Sequence, residues 1–155
     1  MASFVRDART RGCLVPLILL VDDRLIERDV LREILIEARY EVIAESESPR
    51  VSALVKSGEF DLIISDLSMA GRNGIELVQS FHRSRPEVPI LIMTDSATIE
   101  NALEAMKVGA FDCLKKPFLK DEFLLAVSRV IRNSRLAREN IGLREHIQRD
   151  KDSLS

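Results

Sequence analysis

Five short apolar runs alternate with longer amphipathic segments along this chain, and this alternation restricts its fold more than any other feature. The runs have the length of strands: Leu17–Val21, Glu41–Ala44, Leu62–Ser65, Val88–Met93 and Phe111–Leu114. Runs that are apolar on both faces are typical of parallel sheets that helices cover on both sides. We therefore predict an α/β fold, in which five parallel strands form one doubly wound sheet.

The amphipathic segments between and after the runs predict five helices. Pro49 favours a helix start, and Gly58 and Gly109 favour helix ends. The predicted helices are Arg24–Ala38, Pro49–Ser57, a helix from Gly74 that stops before Pro86, Thr98–Val108, and a long helix from near Lys120 with Phe123, Leu124, Val127, Val130 and Ile131 on its buried face.

Length and composition indicate one soluble domain with additional segments. The chain has 155 residues, a hydrophobic fraction of 46% and a net charge of −2, so nothing points to nucleic acid or to a membrane surface. Cys13 and Cys113 show no metal or disulfide spacing, which favours reduced thiols in the cytoplasm. We expect a flexible N-terminal tail over residues 1–16, the domain over 17–133, and a helical linker with a frayed end over 134–155.

The last helix is predicted to continue beyond the domain. Leu136, Asn140, Leu143 and Ile147 follow a 4-3-4 spacing, as at the a and d positions of a coiled coil, and an Asn at an a position fixes register in two-stranded coils. This pattern predicts a homodimer through the C-terminal helix. The alternative is a solvated helix with incidental apolar residues, because two heptads are few.

Polar side chains follow four of the five predicted strands. Asp22 and Asp23 follow the first strand, Asp66 the third, Thr94 the fourth and Lys116 the fifth. The carboxyl ends of parallel strands meet at one edge of a sheet, where ligands bind in such folds. Clustered carboxylates need a cation or raised pKa values, and oxygen ligands suit Mg²⁺. A carboxylate can also act as a nucleophile towards phosphorus.

Each of these residues also has a plain structural explanation. Asp22 and Asp23 could cap the first helix, and Asp66 could cap a loop. Thr94 alone would be a strand-end hydroxyl, and Lys116 alone would be a solvated lysine. Only the joint occurrence of these residues at one predicted edge favours a chemical site.

Ordered motifs over about Leu17 to Arg132 resemble a response-regulator receiver domain of two-component signalling. The motifs are Ile18-Leu19-Leu20-Val21-Asp22-Asp23, Asp61-Leu62-Ile63-Ile64-Ser65-Asp66, Gly74-Ile75-Glu76-Leu77, Ile90-Leu91-Ile92-Met93-Thr94, Gly109-Ala110-Phe111-Asp112 and Lys116-Pro117-Phe118. The resemblance implies a flavodoxin-like (βα)5 fold with an extended C-terminal helix. It also implies a regulator rather than an enzyme, one that only assists its own phosphorylation and dephosphorylation.

The resemblance implies a role for each site residue. Asp66 would accept a phosphoryl group from a histidine kinase or a histidine phosphotransfer protein. Mg²⁺ would be held by Asp22, Asp23, Asp66 and the backbone carbonyl of Ser68.

Two further residues would respond to the phosphoryl group. The Thr94 hydroxyl would donate a hydrogen bond to it, and Lys116 would form an ion pair with it. The bond between Lys116 and Pro117 would be cis.

Three positions depart from the family pattern. Ala70 stands where a proline is usual, which would make the phosphorylation loop less stiff. Cys113 replaces the usual aromatic switch residue, so an aromatic rotamer switch coupled to Thr94 cannot work in that form here. Asp95 adds a negative charge at the entrance of the site, where a small residue is usual. Such a charge could repel phosphodonors or change the lifetime of the phosphate.

Other functions stay open at this point. A receiver-like docking module that takes no phosphate would agree with Asp95 and Cys113. A phosphohydrolase with an aspartyl nucleophile would need a second Asp where Ser68 stands. The segment from Leu136 to Glu145 resembles the linker of enhancer-binding transcription activators, which predicts a role in transcription. No ATP-binding motif follows it.

Overall fold

A computed structural model of the chain describes residues 15–67, 74–95 and 99–135, with the backbone alone described for residues 99–101. The elements in chain order are β1 (Leu17–Val21), α1 (Leu25–Glu37), β2 (Glu41–Glu45), α2 (Pro49–Ser57), β3 (Leu62–Asp66), α3 (Gly74–Ser84), β4 (Ile90–Thr94), α4 (Ile99–Lys107), β5 (Asp112–Lys115) and α5 (120–135). Ser68, Ala70, most of the predicted tail and the 4-3-4 pattern lie outside the described residues.

All five strands form one parallel sheet in the order β2-β1-β3-β4-β5, which confirms the predicted fold class. The register places Val21 beside Ser65, Asp66 beside Met93 and Thr94 beside Lys115. The carboxyl ends of β1, β3, β4 and β5 therefore lie at one edge.

Alternate strand residues face two separate cores, so the sheet is doubly wound. Leu19, Ile63 and Ile92 pack on the side that α2, α3 and α4 cover, against Val51, Val55, Leu77, Val78, Phe81 and Ala105. Ile18, Leu20, Ile64 and Leu91 pack on the other side, against Leu31 and Leu35 of α1 and Phe123, Val127 and Val130 of α5. The apolar runs are buried on both faces because both faces carry helices.

Several predicted boundaries differ from the structure by one or two residues. β4 begins at Ile90 rather than Val88, because the Val88 N–H donates to the Arg85 carbonyl in a turn and is not free for the sheet ladder. β3 and β4 extend to Asp66 and Thr94, so both predicted site residues belong to the sheet itself. β5 lies one residue later than predicted.

Packing on the sheet sets which side chains of α1 and α3 are buried. In α1, Leu31 and Leu35 are buried, but Val30 is exposed. In α3, His82 is half-buried and packs where the helix meets the turn at Gly109. Gly109 has a φ of +126°, and a Cβ there would overlap the His82 ring, so only glycine fits this turn.

Candidate functional site

Asp66 is the last residue of β3 and its side chain is almost completely buried, with 1% exposure. The next residue, Leu67, donates its N–H to the Met93 carbonyl at 2.9 Å, which holds the chain against β4 directly after Asp66. Gly74 at the start of α3 returns to the same point, because a Cβ there would lie 2.6 Å from the Leu67 backbone. A glycine is therefore required for α3 to begin beside the site.

Lys116 reaches the site from the loop after β5. Its N–H donates to the Thr94 carbonyl at 2.7 Å, and its bond to Pro117 is cis, as the resemblance implied. Its Nζ donates to Asp66 Oδ2 and to Glu27 Oε2, both at 2.7 Å. The side chain is only 9% exposed.

The charge of Lys116 is stabilised by these two carboxylates. Burial alone would lower its pKa, but the hydrogen bonds to Asp66 and Glu27 outweigh that effect and raise the pKa above its ordinary value. Lys116 thus stays protonated inside the protein. Its neighbour Lys115, by contrast, is exposed.

Asp22 is fully buried and only partly satisfied. Its Oδ1 accepts the Arg24 N–H at 2.9 Å, whereas its Oδ2 has no hydrogen-bond partner among the described residues. Burial first, and then the facing Glu27 carboxyl, raise the pKa of Asp22 to about 7. Two ionised carboxylates cannot hydrogen-bond, so this pair needs either a shared proton or a cation.

Glu27 is the site residue that the sequence analysis missed. It lies in the first turn of α1, about one turn after Asp23, and is 26% exposed. Burial would raise its pKa, but the neighbouring Asp22 carboxyl and the hydrogen bond from Lys116 outweigh burial and lower it. The available signal was an acidic residue in the first turn of the helix that follows the Asp pair, which on its own indicates only a favourable interaction with the helix dipole.

Three carboxylates come together at this edge. One oxygen from each of Asp22, Glu27 and Asp66 lies within 4.8 Å of the other two, so the group could hold a metal ion. Asp23 is not in that group, and its Oδ1 accepts the Glu47 N–H at 2.7 Å. All-oxygen ligands and the unpartnered Asp22 Oδ2 fit a hard divalent cation such as Mg²⁺.

Thr94 and Cys113 lie on the β4–β5 side of the site. Thr94 is buried at the end of β4, with 4% exposure, next to Lys115 in register. Cys113 is half-buried in β5, where burial and then the charge of Asp112 raise its pKa. The thiol is therefore held in its neutral form.

An ion pair lies above the buried groups, at the rim of the site. Arg24 Nη2 donates to Asp95 Oδ2 at 3.1 Å, and the two side chains are 55% and 41% exposed. These residues follow the ends of β1 and β4, so they come from opposite sides of the Asp66 strand. The extra acid at the entrance is thus paired with a cation.

A cavity of about 540 Å³ opens beside this rim, between α1 and the loop after β5. Its lining combines the charged site residues with an apolar wall. The lining residues are Arg24, Glu27, Asp95, Lys116 and Lys120 together with Val30, Leu31, Ile34, Pro117 and Phe118. Arg24 and Lys116 therefore face the same space.

Comparison with known proteins gives this arrangement a family. A family model described as the response regulator receiver domain matches residues 18–128. The chain belongs to that family. The residues that carry the receiver pattern lie at one edge of the five-stranded parallel sheet: Asp22, Asp66, Thr94 and Lys116.

Relatives of this receiver include longer regulators. The transcriptional regulatory protein ZraR of Klebsiella oxytoca is 33% identical over 120 residues, which are 77% of this chain and 27% of ZraR. The transcriptional regulatory protein FixJ of Bradyrhizobium diazoefficiens is 32% identical over 138 residues, which are 89% of this chain and 67% of FixJ. The chain thus spans about a quarter of ZraR and two thirds of FixJ.

A solved structure also matches the fold of this chain. A response regulator protein from Burkholderia pseudomallei, which contains a phosphorylated aspartic acid and a calcium ion, matches with a TM-score of 0.69 and 26% identity. The match covers 86% of this chain and 82% of that one.

No helix in the described part of this receiver is long and apolar enough to cross a membrane.

Proposed function

We propose that this receiver accepts a phosphoryl group on Asp66 from the phosphohistidine of a histidine kinase or of a histidine phosphotransfer protein. The observation that carries the proposal is the buried ion pair between Lys116 Nζ and Asp66 Oδ2, at 2.7 Å beside two further carboxylates. In the transfer, an Asp66 oxygen forms the new bond to phosphorus. The phosphorus–nitrogen bond to the donor histidine breaks, and the imidazole leaves with that electron pair.

The chain's own residues would position and stabilise the group. Lys116 is already protonated next to Asp66 and can pair with the phosphoryl oxygens. The Thr94 hydroxyl, buried at the same edge, would donate a hydrogen bond to one of them. In phosphoryl transfer such positioning and charge stabilisation account for most of the catalysis.

Asp22, Asp66 and Glu27 would hold Mg²⁺, together with Asp23 and the Ser68 carbonyl that the sequence predicts. A bound Mg²⁺ supplies positive charge to the phosphoryl oxygens. The relative from Burkholderia pseudomallei contains a phosphorylated aspartic acid and a calcium ion, which supports both the phosphorylation and the divalent cation proposed here.

Labelling with acetyl phosphate and Mg²⁺ tests this proposal. We expect intact-mass spectrometry to show one added phosphoryl group on the wild-type chain and none on Asp66→Asn. Asp121→Asn is the matched control, because Asp121 is an exposed acid on α5. A wild-type chain that takes no label would contradict the proposal.

A docking module that never takes phosphate is the second candidate, and the acid at Asp95 favours it. An unlabelled wild-type chain would support this candidate. Rapid turnover of small phosphoesters would instead indicate a phosphohydrolase.

We propose that the chain is a regulator without turnover of its own and that it acts in the cytoplasm. We also propose that it acts in the control of transcription, which is the role that the names of ZraR and FixJ indicate for those proteins.

We also propose a homodimer through the C-terminal helix, on the 4-3-4 pattern of residues 136–147. Sedimentation of the full chain and of a chain that ends at residue 133 checks it. The full chain should be a dimer at high concentration or when phosphorylated, and the shortened chain a monomer. Equal monomeric behaviour of both, in both states, would contradict the proposal.

A further inference from the structure

The ion pair between Arg24 and Asp95 brings a second cation to the site. The Arg24 backbone is fixed there, because its N–H donates to Asp22 Oδ1 at 2.9 Å. Its guanidinium is exposed and lines the same cavity as Lys116. The hydrogen bond to Asp95, and after it the charge of Asp66, raise the pKa of Arg24, so the guanidinium stays charged at the rim.

The bond between Arg24 and Asp95 is easily exchanged. Exposed ion pairs contribute little, because water competes for both charges and two long side chains must be held in one geometry. Asp95 offers one negative charge at the surface. A phosphoryl group on Asp66 would offer about two negative charges and three acceptor oxygens, and arginine binds such groups with two parallel hydrogen bonds.

We propose that Arg24 is a phosphoryl-binding residue of this receiver and that Asp95 is its counter-ion in the resting state. When the phosphoryl group arrives, Arg24 exchanges Asp95 for the phosphoryl oxygens. Asp95 then acts through Arg24, by competing for it. This inference rests on the proposed phosphorylation of Asp66.

The roles of the two residues predict opposite effects on binding of a phosphoryl group. Removal of Arg24 takes a charged hydrogen-bond donor away from the phosphoryl group, which should weaken binding. Removal of Asp95 leaves Arg24 without a competing carboxylate, which should strengthen binding. In a chain that already lacks Arg24, removal of Asp95 should have no effect. Simple repulsion by Asp95 makes a different prediction, since it would act whether or not Arg24 is present.

Beryllofluoride, a non-covalent mimic of the phosphoryl group, tests this with an equilibrium measurement. Its binding to the full chain with Mg²⁺ can be followed by ¹⁹F NMR. Arg24→Ala should weaken binding about 10-fold, the range for loss of a charge-assisted hydrogen bond. Asp95→Ala should strengthen it about 3-fold, and the double variant should equal Arg24→Ala. Arg24→Lys should retain part of the affinity.

Arg50→Ala is the matched control and should leave the affinity unchanged. Arg50 is also an exposed arginine in an ion pair, since it contacts Glu45 of β2 at 3.2 Å from α2. A separate sample of each variant is tested for labelling with acetyl phosphate, and the beryllofluoride titrations use unlabelled protein. A wild-type chain without label would overturn the proposed function and this inference together. A labelled chain whose Arg24→Ala variant binds beryllofluoride normally would overturn this inference alone. So would an Asp95→Ala effect that persists in the absence of Arg24.

Discussion

The floor and the rim of the site use the same kind of bond in different surroundings. On the floor, Lys116 contacts Asp66 and Glu27 at 2.7 Å, and the exposures of Lys116 and Asp66 are 9% and 1%. On the rim, Arg24 contacts Asp95 at 3.1 Å with both side chains largely in water. The difference in burial, rather than in bond length, separates a permanent part of the fold from an exchangeable contact.

The physical reason is the cost of an unpaired charge. In the interior, removal of one partner leaves the other charge without water to solvate it, so the pair persists. At the surface, water solvates either partner, and the pair can open at little cost. The floor can therefore keep a lysine charged beside Asp66, while the rim can respond to a new charge.

The largest expected effect comes from breaking the floor. Lys116→Met should lower the free energy of unfolding by about 3 kcal/mol at pH 7.5, because it leaves clustered carboxylates without their buried cation. Urea unfolding measures this. Lys115→Met is the control, and since Lys115 is exposed it should change little. A loss below about 1 kcal/mol for Lys116→Met would show that the floor relaxes as easily as the rim.

An intermediate effect is expected from pH. Because the pKa of Asp22 is raised from 3.8 to about 7, the folded chain binds more protons than the unfolded chain between these values, and stability falls as pH rises through this window. The loss should be on the order of 1–3 kcal/mol. The lowered pKa of Glu27 acts in the opposite sense, at pH values below its ordinary 4.5.

Urea unfolding between pH 4.5 and 8 checks this prediction, with Asp22→Asn as the comparison. In Asp22→Asn, most of the fall in the free energy of unfolding with rising pH should disappear. Millimolar Mg²⁺ should also reduce the decline in the wild type, because a cation between the carboxylates stabilises their ionised forms. A wild-type stability that rises steadily through this window would contradict the assignment of the raised pKa to Asp22.

The smallest effect on stability is expected at the rim. Arg24→Ala should shift the urea midpoint by no more than the error of the measurement, since its ion pair is in water. The same variant is expected to weaken beryllofluoride binding about 10-fold. A clear loss of stability in Arg24→Ala would show that the rim pair stabilises the fold as the buried Lys116 pairs do. The contrast between the floor and the rim would then not hold.

Much of the site could be predicted because it follows from the direction of the strands. Four of the predicted residues end or follow a strand: Asp22, Asp66, Thr94 and Lys116. The carboxyl ends of parallel strands meet at one edge of a sheet, so strand direction alone brings these residues to that edge. The ordered motifs then indicated the family, which the match over residues 18–128 shows. The roles of these residues in phosphoryl transfer stay predictions.

Other features could not be read along the chain. Glu27 enters the site because α1 places it beside Lys116, a residue 89 positions later. Asp23 bonds to the Glu47 amide of the segment after β2, and Arg24 pairs with Asp95 across 71 positions. These pairs form between elements that are distant in the sequence and meet only in the folded chain.

The sequence by itself thus determined the alternation of strands and helices and the edge at which the polar residues gather, because periodicity and strand direction are local properties of the chain. Only the tertiary structure decided which two carboxylates hold Lys116, which carboxylate oxygen among the described residues is left without a donor, and which charge meets Arg24. Those choices depend on distance and burial between distant elements, and both are set only when the two helical layers close on the sheet.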